Sequence, residues 1–322
     1  MTPRPGKAWL SILALALASL TGCDGGATTT PGAPAIVAPY VTADPRGASA
    51  AAAALAGAPV RRFVLAFALA QDGRCAPAWN GDTPPGAGPA ADIVRAVTAA
   101  GGSVAVASGG ASGTYLENTC ATATDLATAY RTVLASAHAD TLDLDVETRV
   151  PVDLVADAVS TIQHELGIRV VVTAEVADDR RGLDANGLDM VRALAARGIE
   201  PTVNAMVMNF PATRDWSSAL TAAADTVTGQ LARIWPAGGL DAAYRRLGLT
   251  FMAGRNDTGP ITTLADAGTL RDYADAHRIA FFGFWSLARD NGGCPGAATA
   301  RADCSGVAQA PLDFTRALIS RP

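Results

Sequence analysis

The chain has 322 residues, 49% hydrophobic and 17% charged, with 32 glycines and 19 prolines. Its mean hydropathy of +0.21 and lack of long repeats exclude disorder, collagen, a coiled coil and a multispan membrane protein. The net charge is −5, and −7 once residues 1–22 with Arg4 and Lys7 are set aside, so no nucleic-acid partner is expected, because phosphates need a basic surface.

Lys7 is the only lysine. Without it, Schiff-base, pyridoxal-type and lysine-clamped phosphoryl-transfer chemistry have no residue to work with. The three histidines (His138, His164, His277) are too few and too scattered for a histidine-rich metal site. The reading calls for no metal and no cofactor.

Arg4 and Lys7 precede an apolar run at residues 9–20, too short to span a bilayer comfortably. The run ends in Leu20-Thr21-Gly22-Cys23, which resembles a bacterial lipobox. That resemblance implies a lipoprotein signal peptide over 1–22, lipidation of Cys23, and an exported protein anchored to the membrane on its extracytoplasmic side. Asp24, next to the cysteine, resembles the inner-membrane retention signal of Gram-negative bacteria. Residues 23–34 then read as the lipidated cysteine and a flexible tether. The remaining cysteines are Cys75, Cys120, Cys294 and Cys304. An even number in an exported chain favours disulfides. Cys294 and Cys304 share one Gly/Ala-rich loop, which leaves Cys75 with Cys120.

Apolar, β-branched runs predict strands at 36–41, 62–69, 103–108, 141–147, 168–175, 202–209, 248–253 and 279–286. Helical stretches follow them at 47–57, 89–100, 122–137, 151–166, 183–197, 216–235, 262–277 and 312–320. Eight strand–helix units describe a (β/α)8 barrel, a TIM barrel, as one α/β domain over 35–322. A doubly wound open sheet is the alternative, but no glycine-rich dinucleotide fingerprint follows an early strand. A barrel places its active site at the strand C-terminal ends. Tyr40, Ser108, Asp143, Asp145, Glu147, Glu175, Asn209 and Trp285 gather there.

The segment Asp140-Thr-Leu-Asp143-Leu-Asp145-Val-Glu147 carries the chemistry. Alternate side chains of a strand share a face, so Asp143, Asp145 and Glu147 point into the barrel and Leu142, Leu144 and Val146 toward the helices. Three stacked carboxylates cannot all ionise cheaply. At least one is expected to hold a proton near neutrality, with Asp143 and Asp145 sharing one beneath Glu147, the general acid. A calcium loop would need a glycine and a short turn that are absent here.

This segment resembles the Asp-Gly-x-Asp-x-Asp-x-Glu signature of glycoside hydrolase family 18, the chitinases. Ser108-Gly109-Gly110 is similar to the family's Ser-x-Gly-Gly element, Trp285 to its strand-eight tryptophan, and residues 203–210 to its strand-six region. The segments 38–41, 75–79 and 284–290 resemble a bacterial, mainly actinobacterial, subgroup. The resemblance implies substrate-assisted, retaining hydrolysis of β-1,4-linked N-acetylglucosamine (GlcNAc) glycans, chitin or chitooligosaccharides. Glu147 would be the acid, Asp145 would orient the acetamide, Asp143 would tune Asp145, and Trp285 would floor the sugar. Asp140, Ser108, Tyr40, Glu175, Met208 and Asn209 join the expected binding set, and Trp79, Phe210 and Trp216 are further stacking candidates. Three positions depart from the pattern: Thr141 replaces the glycine, Met208 the tyrosine and Asn209 the aspartate. Two other readings stay open: a GlcNAc-glycan-binding lipoprotein without catalysis, and an endo-β-N-acetylglucosaminidase acting on peptidoglycan or N-glycan. A monomer is expected.

Overall fold

The computed structural model describes residues 1–2 and 35–319. The expected signal peptide beyond Thr2, the expected lipidation site Cys23 and the expected tether lie outside the described residues.

Thirteen strands are described: β1 (Ile36–Val37), β2 (Tyr40–Thr42), β3 (Arg62–Ala70), β4 (Pro77–Trp79), β5 (Ser103–Gly109), β6 (Thr141–Val146), β7 (Arg169–Asp178), β8 (Gly182–Leu183), β9 (Thr202–Met206), β10 (Leu247–Met252), β11 (Gly254–Arg255), β12 (Ile261–Thr262) and β13 (Phe281–Trp285). Hydrogen bonding runs β1-β13-β10-β9-β7-β6-β5-β3-β2, with every pair on that path parallel. The first and last members are consecutive pieces of one predicted strand, so the path closes on itself. The fold is a (β/α)8 barrel. Pro39 is the reason that 36–41 divides. It has no N–H for a ladder, so β1 pairs backward with β13 and β2 forward with β3.

The eight expected helices are present with shifted ends. Their starts follow side-chain capping: Asp44, Thr122, Asp184 and Asp215 each accept a first-turn amide, and Thr263 with Asp266 forms a capping box. Apolar faces of these helices and the outward faces of the strands share one large core that includes Leu142, Leu144 and Val146. Sequence patterning missed the short helices Leu116–Thr119 and Gly239–Tyr244 and the antiparallel additions β4, β8, β11 and β12. These are too short for a periodic signal.

Both expected disulfides are formed, Cys75–Cys120 and Cys294–Cys304. Their sequence separations are 45 and 10 residues. Loop-closure entropy gives about 4 kcal/mol for the longer and about 3 kcal/mol for the shorter. Replacing Cys75 and Cys120 by serine is therefore expected to lower the urea midpoint more than the same change at Cys294 and Cys304. Equal losses would contradict the entropic ranking.

Candidate active site

β6 lies between β5 and β7, with Asp143 opposite Ala107 and Val171, and Asp145 opposite Gly109 and Thr173. Residues opposite one another in a parallel pair share a face. Asp143 and Asp145 are thus directed into the barrel, 1% and 3% exposed, while Leu142 and Leu144 are fully buried on the helix side. Glu147 stands one residue beyond the end of β6, half-buried.

A cavity of about 150 Å³ opens over these groups at the strand C-terminal ends. Tyr40, Asp145, Glu147, Glu175, Met208, Asn209 and Trp285 line it, all of them expected from the sequence. Phe67, Thr173, Met206, Thr250 and Asp257 line it too, and sequence reasoning missed them. Trp285 stacks on Phe67 with ring centroids 5.6 Å apart and tilts toward Tyr40 at 6.2 Å. Met206, Met208 and Met252 form an apolar wall beside it. Asp257 sits in a loop after a barrel strand, which was the available signal. Phe67 was hidden in an apolar run whose alternation breaks at a register shift between Leu65 and Ala68.

Asp143 is fully bonded. Its Oδ2 accepts the Tyr40 hydroxyl at 2.7 Å, and its Oδ1 accepts the Thr173 hydroxyl at 2.7 Å. Asn204 donates to the Tyr40 and Thr173 oxygens at 3.1 and 2.9 Å and is tied to Thr250. Asp145 differs: its Oδ1 is buried without a hydrogen-bond partner. Tyr40 and Thr173 thus engage both oxygens of Asp143. Asp145 lines the cavity with its own Oδ1 left without a partner.

The Gly-Gly of the Ser108-Gly109-Gly110 element is explained by close approach. Both residues have positive φ, and a Cβ on Gly109 would lie 2.1 Å from the Asp145 carbonyl oxygen. One on Gly110 would strike the Phe67 ring at 2.6 Å.

Several expectations are corrected. Asp140 is not in the cavity. It lies at the opposite end of β6, exposed and paired with Arg169 at 2.7 Å, because the six residues of β6, at about 3.3 Å each, separate it from Glu147. Thr141 is at that end as well, bonded to Asp140 and Arg169. Ser108 pairs with Leu144 and so faces the helices, where it donates to Glu117 at 2.7 Å. Trp79 is buried in β4, and Phe210 packs on Trp216 at 4.8 Å, so none of the three lines the cavity. Asn209 does line it, but its amide is committed: Nδ2 donates to Asp257 at 2.9 Å, and Oδ1 accepts the Asp257 N–H at 2.8 Å. Asn209 here clamps two loops together.

Burial dominates the electrostatics. It pushes the Glu147 carboxyl up to about 7, helped by the charges of Glu175 and Asp257. It raises Asp145 well above the usual carboxylate range, with Glu147, Asp143 and Glu175 adding repulsion. Asp143 rises to about 6 through burial, held back by the hydrogen bonds from Thr173 and Tyr40. Glu175 is raised by burial and by Asp184. The site therefore offers a carboxyl that titrates near neutral pH, above an unpartnered buried oxygen and beside an aromatic floor.

No family model matches the chain. The catalytic domain of the hyperthermophilic chitinase from Pyrococcus furiosus superposes with a TM-score of 0.78 at 29% identity, over 90% of this chain and 96% of that one. This chain resembles chitinase catalytic domains. Catalytic-site mutants of the same archaeal enzyme's active domain 2, one of them solved with chito-oligosaccharides, give a TM-score of 0.79. Among curated proteins, the chain is 26% identical over 258 residues to the probable bifunctional chitinase/lysozyme of Escherichia coli (strain K12), covering 72% of this chain and 28% of that protein. Endochitinase 11 of Metarhizium anisopliae is 26% identical over 259 residues, 72% of this chain and 48% of that protein. The chain thus spans between about a quarter and a half of the curated relatives it matches.

Proposed function

We propose that this chain hydrolyses β-1,4-linked GlcNAc glycans with retention, using the substrate's own acetamide as nucleophile. The observation that carries the reading is the stack at the end of β6: Glu147, its carboxyl pushed up to about 7 by burial, above an Asp145 whose Oδ1 has no protein partner. Glu147 gives its proton to the glycosidic oxygen. The acetamide oxygen attacks the anomeric carbon, and Asp145 accepts the acetamide N–H. The bond to the leaving sugar breaks as an oxazolinium ring forms. Glu147, now ionised, takes a proton from water, and that water opens the ring. Asp143 stays tied to Tyr40 and Thr173, a fixed negative neighbour for Asp145. Trp285 and the methionine wall shield the sugar from water.

The test is incubation with chitooligosaccharides followed by NMR of the first anomer released. The β-anomer is expected. The α-anomer, or no cleavage, would overturn the reading, and peptidoglycan and N-glycan cores serve as comparison substrates. We also propose, from the sequence, a monomeric lipoprotein exported and tethered through Cys23. Labelling with palmitate that persists after Cys23→Ser would contradict it.

The acid also sets the pH profile. Catalysis needs Glu147 protonated, so kcat/KM is expected to fall above about pH 7. Glu175→Gln removes a negative charge that helps hold the proton on. The alkaline limb then moves to lower pH, by roughly half a unit. A limb that stays in place, or moves upward, would show that Glu175 does not act on Glu147.

A further inference from the structure

We propose that Tyr115 is a positioning residue for Glu147, holding the backbone of the acid through its hydroxyl. This rests on the reading of Glu147 as the proton donor. The ladder between β6 and β7 ends at Val146 opposite Ala174. Glu147 is the next residue, and no sheet neighbour receives its N–H. That N–H donates to the Tyr115 hydroxyl at 3.1 Å, and the same hydroxyl donates to the Gly110 carbonyl at 2.6 Å. One phenol therefore spends its lone pair and its proton on the two backbone segments flanking the acid. The group is buried, 4% exposed. Its pKa is raised, chiefly by burial, so it keeps the proton that it donates.

Tyr115 is itself anchored from three sides. The residues after it form the short helix Leu116–Thr119, and Thr119 donates back to the Tyr115 carbonyl at 3.1 Å. Glu117, 1% exposed, accepts from Ser108 of β5 and from Tyr130. Cys120 closes the segment through its disulfide to Cys75. The Ser108 hydroxyl, expected in the sugar site, thus serves this strut. The consequence is catalytic because proton transfer depends steeply on placement, and an error of about 1 Å can cost about 100-fold.

Tyr115→Phe keeps the ring and leaves the Glu147 N–H and the Gly110 carbonyl unpaired. kcat and KM are measured on chitooligosaccharides and on the 2,4-dinitrophenyl glycoside of chitobiose, whose leaving group departs without a proton. A misplaced acid lowers kcat/KM about 10–100-fold on the oligosaccharide and less than about threefold on the aryl glycoside, because kcat/KM reports the bond cleavage that the aryl leaving group completes without the acid. Should Tyr115→Phe not fold, 4-fluorophenylalanine at position 115 fills the hydroxyl's space without donating, and is read the same way. Introducing 4-aminophenylalanine, which can donate and accept, is expected to restore most of the oligosaccharide rate. Equal losses of kcat/KM on both substrates, or an unchanged kcat/KM on the oligosaccharide, overturn the proposal alone. An inactive wild type, or a Glu147→Gln variant as active as wild type on the oligosaccharide, overturns the reading of Glu147 and this proposal with it.

Discussion

Glu147→Gln is expected to abolish hydrolysis of chitooligosaccharides while leaving their binding within a few-fold of wild type. Gln has the shape of the protonated acid and cannot give up a proton, so the loss falls on kcat, about 10²–10⁴-fold or more. Binding is expected to rest on Trp285, Phe67 and the methionine wall, which line the cavity and which the substitution leaves in place. Calorimetric titration of the variant with a GlcNAc oligomer checks the second half. Retention of most activity would remove Glu147 as the acid. A stability readout accompanies it. The folded carboxyl holds its proton up to about 7, against an ordinary value of 4.5. The folded state therefore binds more protons than the unfolded one between those values, and it loses that advantage as the pH rises through about 7. Above that pH an ionised, largely buried carboxylate is a cost that Gln does not carry. Glu147→Gln is thus expected to melt about 2–6 °C higher than wild type at pH 8, and within about 1 °C of it at pH 4. A lower melting temperature at pH 8 would show that Glu147 is stabilised as an anion.

What the sequence made legible follows from local periodicity. The face shared by Asp143, Asp145 and Glu147 needs only the two-residue repeat of a strand. The barrel needs only eight apolar runs separated by helical ones. Trp285 came from its place at the end of the last run, and the disulfides from counting. What was hidden depends on register and on loops meeting across the barrel. Ser108 looked like a site residue until its pairing with Leu144 turned it outward. Asp140 belonged to the recognised segment, yet that segment runs the height of the barrel and delivers its first residue to the wrong end. The Asn209–Asp257 clamp joins residues 48 apart in sequence, and no local pattern encodes it. Tyr115 precedes and Glu117 lies in the helix Leu116–Thr119, whose four residues are too few for periodicity to carry information.

Catalysis is expected to depend on the N-acetyl group of the substrate, and Asp145 is the residue through which that dependence acts. Asp145 sits two residues below Glu147 on the same strand face, about 6–7 Å along the chain. A sugar protonated by Glu147 at its glycosidic oxygen then presents its 2-substituent, rather than its anomeric carbon, to Asp145. The bare Oδ1 of Asp145 is costly in a folded protein, because a buried acceptor without a donor forfeits its hydration. An acetamide N–H repays that cost when it arrives, and the bond strengthens as positive charge develops on the oxazolinium ring. The interaction is therefore worth more in the transition state than in the ground state. Asp145→Asn is expected to lower kcat about 10²–10³-fold with KM within about threefold. Oligomers of GlcNAc should be cleaved and thiazoline mimics of the ring should inhibit. Cellulose oligomers and fully deacetylated chitosan carry no internal nucleophile and should not react. Glu175 is the other free-standing carboxylate lining the cavity among the described residues, so it is the alternative protein nucleophile. Mass spectrometry during turnover decides between them. A glycosyl ester on Asp145 or Glu175, or efficient cleavage of a polymer without 2-acetamido groups, would replace the substrate-assisted route with ordinary two-carboxylate retention.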